Sequence, residues 1–151
     1  MAHPYGGLTL GTDGYFYGTT TSGGIGRGTI FRIASTGELT TLHAFSAFEG
    51  GIPYAPPVQG AKAFYGVTAE GTAYSITSAG TFKLFKDQLP GGSSAPLILA
   101  TNGKFYGTTF NGGTHKQGTV LQLSANGAVE ILYNFDTTHG TGPRRYCGDR
   151  S

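Results

Sequence analysis

Gly11-Thr12-Asp13-Gly14-Tyr15-Phe16-Tyr17-Gly18-Thr19-Thr20 decides the fold, because its second half is written three times in the chain. Phe16-Tyr17-Gly18-Thr19-Thr20 returns as Phe64-Tyr65-Gly66-Val67-Thr68 and as Phe105-Tyr106-Gly107-Thr108-Thr109. The tyrosines of the three copies stand 48 and then 41 positions apart. A second phrase follows each copy: Gly28-Thr29-Ile30-Phe31, Gly71-Thr72-Ala73-Tyr74 and Gly118-Thr119-Val120-Leu121. An aromatic phrase closes each unit, at Leu42-His43-Ala44-Phe45, Leu84-Phe85 and Leu132-Tyr133-Asn134-Phe135. Self-similarity at this period is the mark of a repeat architecture.

Working outward from the quoted stretch, each unit reads as four short strands. An apolar run comes first, at Gly7 to Leu10, Pro57 to Gly60 and Pro96 to Leu99. Asp13-Gly14 and Asn102-Gly103 then signal tight hairpin turns, since both residue types tolerate positive φ. The Phe-Tyr-Gly strand follows, and a Gly-rich loop leads to a third strand. Ser35-Thr36-Gly37, Ser78-Ala79-Gly80 or Ala125-Asn126-Gly127 turns the chain into a fourth. Thr, Val, Ile, Phe and Tyr fill the strands, and no segment carries a helical apolar period. Four hairpin-linked strands in about 45 residues describe a β-propeller blade. The expected fold is all-β, with three four-stranded antiparallel blades of an incomplete propeller. The units span 4–52, 53–92 (the short one) and 93–143, with a non-repeat tail at 144–151.

Composition agrees. Glycine makes up 27 of 151 residues, yet nine Tyr and ten Phe argue against disorder, which depletes aromatics. The net charge of +2 and the lack of a basic stripe exclude a nucleic-acid binder. The single cysteine, Cys147, allows no disulfide within the chain. No apolar run is long enough to span a membrane, and no signal peptide is visible.

The phrases resemble the GloVer tandem repeat, a Gly/Thr-rich unit found in arrays in bacterial proteins with surface anchors. The match runs through Gly11 to Thr20, Gly23-Gly24, Gly28 to Ile33, Gly37 and Leu39 to Leu42, and again from Asn102 to Val120. The second unit departs from it, with Ala61-Lys62-Ala63 at the turn. The resemblance implies a propeller-like fold and an extracellular or cell-surface parent protein, and it assigns no functional residues. Arg144 to Ser151 breaks the pattern, so the chain reads as part of a longer array ending in unrelated residues. Three blades fall short of the four to eight of a closed propeller, so a homodimer that completes a ring is expected.

Candidate chemistry sits on the loops and linkers. His115 lies in the longest loop, and His139 lies beside Asp136 in a linker; these two histidines are the catalytic candidates. Glu49 and Asp136 occupy equivalent linkers among glycines and are candidate calcium ligands. His43 sits in an aromatic slot and reads as packing, and His3 as an unplaced terminal residue. Tyr17, Tyr65 and Tyr106 form a candidate ladder for stacking on sugars. Three readings follow: a non-catalytic ligand-binding or structural module; a calcium-dependent lactone hydrolase acting on substrates such as N-acyl-homoserine lactones; and a lectin-like sugar binder. In the hydrolase the metal would polarise the carbonyl and acidify a water.

Overall fold

The computed structural model describes residues 1–85 and 89–140. The tail 144–151 with Cys147 lies outside the described residues, as does the Lys86–Gln88 part of the second linker. The chain forms twelve strands in three four-stranded antiparallel sheets, and no helix occurs among the described residues. Blade 1 holds β1 (Thr9–Leu10), β2 (Phe16–Thr20), β3 (Thr29–Ile33) and β4 (Leu39–Ala44). Blade 2 holds β5 (Val58–Gln59), β6 (Phe64–Val67), β7 (Ala73–Ile76) and β8 (Phe82–Leu84). Blade 3 holds β9 (Ile98–Leu99), β10 (Phe105–Thr109), β11 (Thr119–Leu123) and β12 (Val129–Asn134). In each sheet the strands lie in chain order.

The turns explain why each phrase recurs. After β3, Gly37, Gly80 and Gly127 take φ of 93°, 91° and 94°, a region that glycine enters without penalty. At the first turn, Asp13 accepts from the Tyr15 N–H (3.1 Å) and Asn102 from the Lys104 N–H (3.0 Å). Blade 2 departs there for a geometric reason. Its turn closes from Gly60 N–H to Ala63 O, one residue shorter than Gly11 to Tyr15 or Ala100 to Lys104. The shorter turn has no place for the Asx-Gly pair.

A pair of threonines clamps each β2–β3 type of loop at its root. Thr20 and Thr29 share a hydroxyl hydrogen bond (2.9 Å), as do Thr68 and Thr72 (2.7 Å) and Thr109 and Thr119 (2.9 Å). The N–H of the second threonine also donates to the first hydroxyl, at 3.1, 3.2 and 3.0 Å. All six residues are buried. The clamped residues are 9, 4 and 10 positions apart, so one latch closes loops of very different length.

Blades stack through the Phe-Tyr word. Neighbours along a strand point to opposite sides of the sheet. The Phe points back to the preceding blade and the Tyr points forward to the next. Tyr17 stacks on Phe64 with ring centroids 3.9 Å apart, and Tyr65 packs on Phe105 at 4.3 Å. Such aromatic pairs contribute about 0.5–1.5 kcal/mol beyond the area they bury. Around the first pair, Ile30, Phe45, Tyr74 and Ile76 form the core between blades 1 and 2. Around the second, Val67, Phe85, Leu97, Leu121 and Leu123 form the core between blades 2 and 3. Polar ties cross the same seams: Thr19 Oγ1 is 3.2 Å from the carbonyls of Pro53 and Ala55, and Arg32 Nη1 donates to Ser78 O (3.1 Å).

Among the described residues, nothing gives the outer faces of the first and last blades such cover. On the back of blade 1, Leu10 and Leu39 are exposed. On the front of blade 3, Ile98, Leu132 and Tyr133 are exposed.

Candidate functional site

The antiparallel meander puts every loop between the second and third strand of a blade, and every linker between blades, at one end of the molecule. These are the segments whose lengths differ. The second blade has only the tight turn Thr68 to Thr72, while its neighbours carry loops of 21–28 and 110–118. The short turn leaves a cleft of about 470 Å³ above blade 2. Ala69, Glu70, Pro90, Asn111, Gly112 and Lys116 line it. That volume lies within the roughly 300–1,000 Å³ of small-molecule sites.

Polar groups converge on this cleft. Arg27, from the long loop of blade 1, pairs with Glu70 and fixes the acid on the rim. Asn111 Oδ1 accepts from the Gly92 N–H (2.8 Å), which leaves its amide NH₂ for another acceptor. Lys116, on the same loop as Asn111, sits at φ 57°, lines the cleft and makes no ion pair among the described residues. The cleft therefore offers donors from Asn111 and Lys116 beside a neutralised Arg27–Glu70 pair. Sequence reading singled out none of Arg27, Glu70 and Asn111 as site residues. The contrast in loop length was the signal that could have located them.

The residues singled out from sequence fall in separate places. Asp136 and His139 meet, with His139 Nδ1 2.9 Å from Asp136 Oδ1. Asp136 Oδ1 also accepts from the N–H groups of His139 (2.8 Å) and Thr138 (2.9 Å). Those bonds hold its carboxyl below the ordinary range. Glu49 Oε2 accepts from both the N–H and the hydroxyl of Ser46, at 2.8 Å each, and lies 3.4 Å from His43 Nε2. Burial pushes the Glu49 carboxyl up, but the Ser46 bonds and His43 together outweigh it and the net shift is downward. Both linker acids thus cap their own turns. His115 is exposed on the blade 3 loop. No group of three His, Cys, Asp or Glu side chains that could hold a metal gathers among the described residues.

His43 lies flat on Phe82, 3.6 Å between centroids and 4° from parallel, so it packs as its aromatic slot implied. His3 departs from expectation: its ring bonds Ser22 (2.9 Å) and its carbonyl accepts from the Thr21 N–H (2.9 Å). Tyr17 and Tyr65 are buried under the following blade and offer no free ring face. The Tyr17 hydroxyl donates to Asp13 Oδ2 (2.6 Å); burial first, then the carboxylate, pushes its pKa up to about 12. Tyr106 alone of the three keeps a partly open ring, its hydroxyl held between Asn102 (2.8 Å) and Gln122 (3.0 Å).

A second cleft, of about 490 Å³, opens between blades 2 and 3 at the other end, beside Lys62, Tyr65, Thr101 and Ala125. Its apolar floor is the Tyr65–Phe105 seam, and it brings together no acid with a base.

Comparison with known proteins fits the fold. The family model for the Gloeobacter/Verrucomicrobia repeat matches residues 1–149. Among solved structures, virginiamycin B lyase from Staphylococcus aureus, in its selenomethionine-substituted form, is similar with a TM-score of 0.60 at 17% identity. That likeness covers 87% of this chain and 42% of the lyase chain, and at this identity it speaks to the fold alone. Comparison with curated proteins returned no match. The molecule is a β-propeller-type repeat module, and no helix among its described residues is long and apolar enough to cross a membrane.

Proposed function

Because the chain belongs to the Gloeobacter/Verrucomicrobia repeat family, we propose that it is a non-catalytic recognition module of a secreted or cell-surface protein, binding a hydroxylated or acidic sugar in the cleft above blade 2. The observation that carries this reading is the division of labour between scaffold and loops. The repeated Phe, Tyr and Thr side chains at the two internal seams are consumed by stacking and latching, and Glu49 and Asp136 by their own turns. Among the described residues lining the cleft, Asn111 and Lys116 supply donors around a glycine-lined hollow. Donors of this kind suit the oxygens of a sugar or a sugar acid.

The test is a glycan array followed by titration calorimetry. Binding of acidic or hydroxylated glycans is expected; Lys116→Ala should abolish it with thermal stability unchanged, and Asn111→Ala should abolish it at a cost of about 1 kcal/mol in stability, since the Gly92 N–H loses its acceptor. A blank array, or binding indifferent to both substitutions, overturns the reading. Lactone opening that stops on adding a chelator would put the hydrolase in its place.

A further inference from the structure

The three repeats make their own controlled comparison, because the same face occurs twice covered and once bare. On blade 1 the forward row is Thr9, Tyr17, Arg32 and Thr40; on blade 3 it is Ile98, Tyr106, Gln122 and Glu130. Tyr17 and Ile30 are fully buried under blade 2, whereas their counterparts Tyr106 and Val120 are partly exposed. Ile98 is 69% exposed. The backward rows show the complement. Phe64, Ile76 and Phe82 of blade 2 sit against blade 1, and Phe105, Leu123 and Val129 of blade 3 sit against blade 2. The matching row on blade 1 is Leu10, Phe16, Ile33 and Leu39, and Leu39 is 54% exposed.

We propose that the forward face of blade 3 takes the backward face of blade 1 from a second copy of this chain, continuing the stacking already present at both internal seams. Tyr106 then covers Phe16 as Tyr17 covers Phe64 and Tyr65 covers Phe105. Gln122 stands where Arg32 does, so it faces the carbonyl of Ser35 as Arg32 faces that of Ser78. Glycine packing supports the docking. A methyl on Gly80 would meet Leu42 of blade 1 and one on Gly127 would meet Phe85 of blade 2, while the equivalent Gly37 has nothing within 4 Å. That empty slot is the seat for Leu132.

One residue tunes the contact. Gly11 and Gly60 lie under the Phe of the next blade, where a methyl would stand 3.3 Å from Phe64 and 2.8 Å from Phe105. Ala100 occupies the third such position, and its methyl holds Phe16 of the second copy further out. Because each chain carries one forward and one backward face, two copies related by a two-fold axis satisfy both at once and close six blades. Six falls within the four to eight of closed propellers.

Sedimentation velocity on the full chain at micromolar concentration tests this. The wild type is expected at twice the chain mass of 15.7 kDa. Ile98→Glu and Leu39→Glu each place a charge on one exposed face and should each give monomers with an unchanged circular dichroism spectrum. Mixing the two variants should restore a heterodimer, since one intact forward–backward contact remains between them. Ala100→Gly should lower the dissociation constant several-fold. A wild-type monomer, or a dimer indifferent to Leu39→Glu, overturns the proposal; the latter marks a contact between two forward faces.

Discussion

The same substitution, Tyr to Phe, is expected to act with opposite sign at two tyrosines of this chain. Tyr74 is fully buried between blades 1 and 2, and its hydroxyl has no hydrogen-bond partner among the described residues. Burial alone pushes its pKa upward, since no charge lies close enough to share the effect. A buried hydroxyl left unpaired costs about 1–3 kcal/mol of desolvation. Phe31 holds the corresponding place in blade 1, so a phenyl ring suits the position. Removing one oxygen forfeits a few tight contacts over Gly66, a smaller loss than the desolvation regained. Tyr74→Phe is therefore expected to stabilise by about 1 kcal/mol, which for a domain of this size raises Tm by about 2–4 °C. At Tyr17 the hydroxyl donates to the Asp13 carboxylate at 2.6 Å, a charge-assisted bond. Tyr17→Phe should cost about 1–2 kcal/mol, the partly solvated acid limiting the loss. Differential scanning calorimetry on both variants, each read against the wild type, decides the matter. A Tyr74→Phe protein that melts below the wild type refutes the claim of an unpaired hydroxyl and the reasoning built on it.

Two further outcomes test the scaffold. Thr119→Val keeps the shape of the latch in blade 3 but removes the shared hydroxyl bond with Thr109, and should destabilise by about 1 kcal/mol in urea denaturation. The latch reading fails if m and midpoint are both unchanged. Glu49 has a depressed carboxyl pKa, so its contribution is complete above the ordinary value of 4.5 and is lost as pH falls through the folded value. Glu49→Gln should flatten the acid limb of a stability-against-pH curve below that point and leave the neutral region nearly level; an unaltered acid limb refutes it.

Much of the fold was legible in the sequence because the chain repeats itself. Asp13-Gly14 and Asn102-Gly103 marked their turns, and alternation within Phe16-Tyr17 required the two rings to lie on opposite sides. Alternation cannot say which side meets which neighbour, so the forward role of Tyr and the backward role of Phe came only from the stacking geometry. For the same reason a sugar-stacking ladder stayed open for Tyr17 and Tyr65 beside the core packing that alternation favours. The Thr20–Thr29 latch was visible as a pair of phrases but not as a bond, because nothing local dictates that residues so far apart touch. Away from the cleft, Asp136 and His139 were close in sequence and meet in space. Arg27 and Glu70 come from different blades and are joined by stacking alone, which no spacing rule records.

Within one chain, among the described residues, blade 2 alone has another blade on each face, and each seam involves nearest neighbours. Linear systems coupled in this way lose structure from their extremities. In the single chain, as in the monomeric Ile98→Glu variant, backbone amides of Phe64 to Ile76 should therefore exchange with deuterium last, and fraying should advance inward from Leu10 and Tyr133.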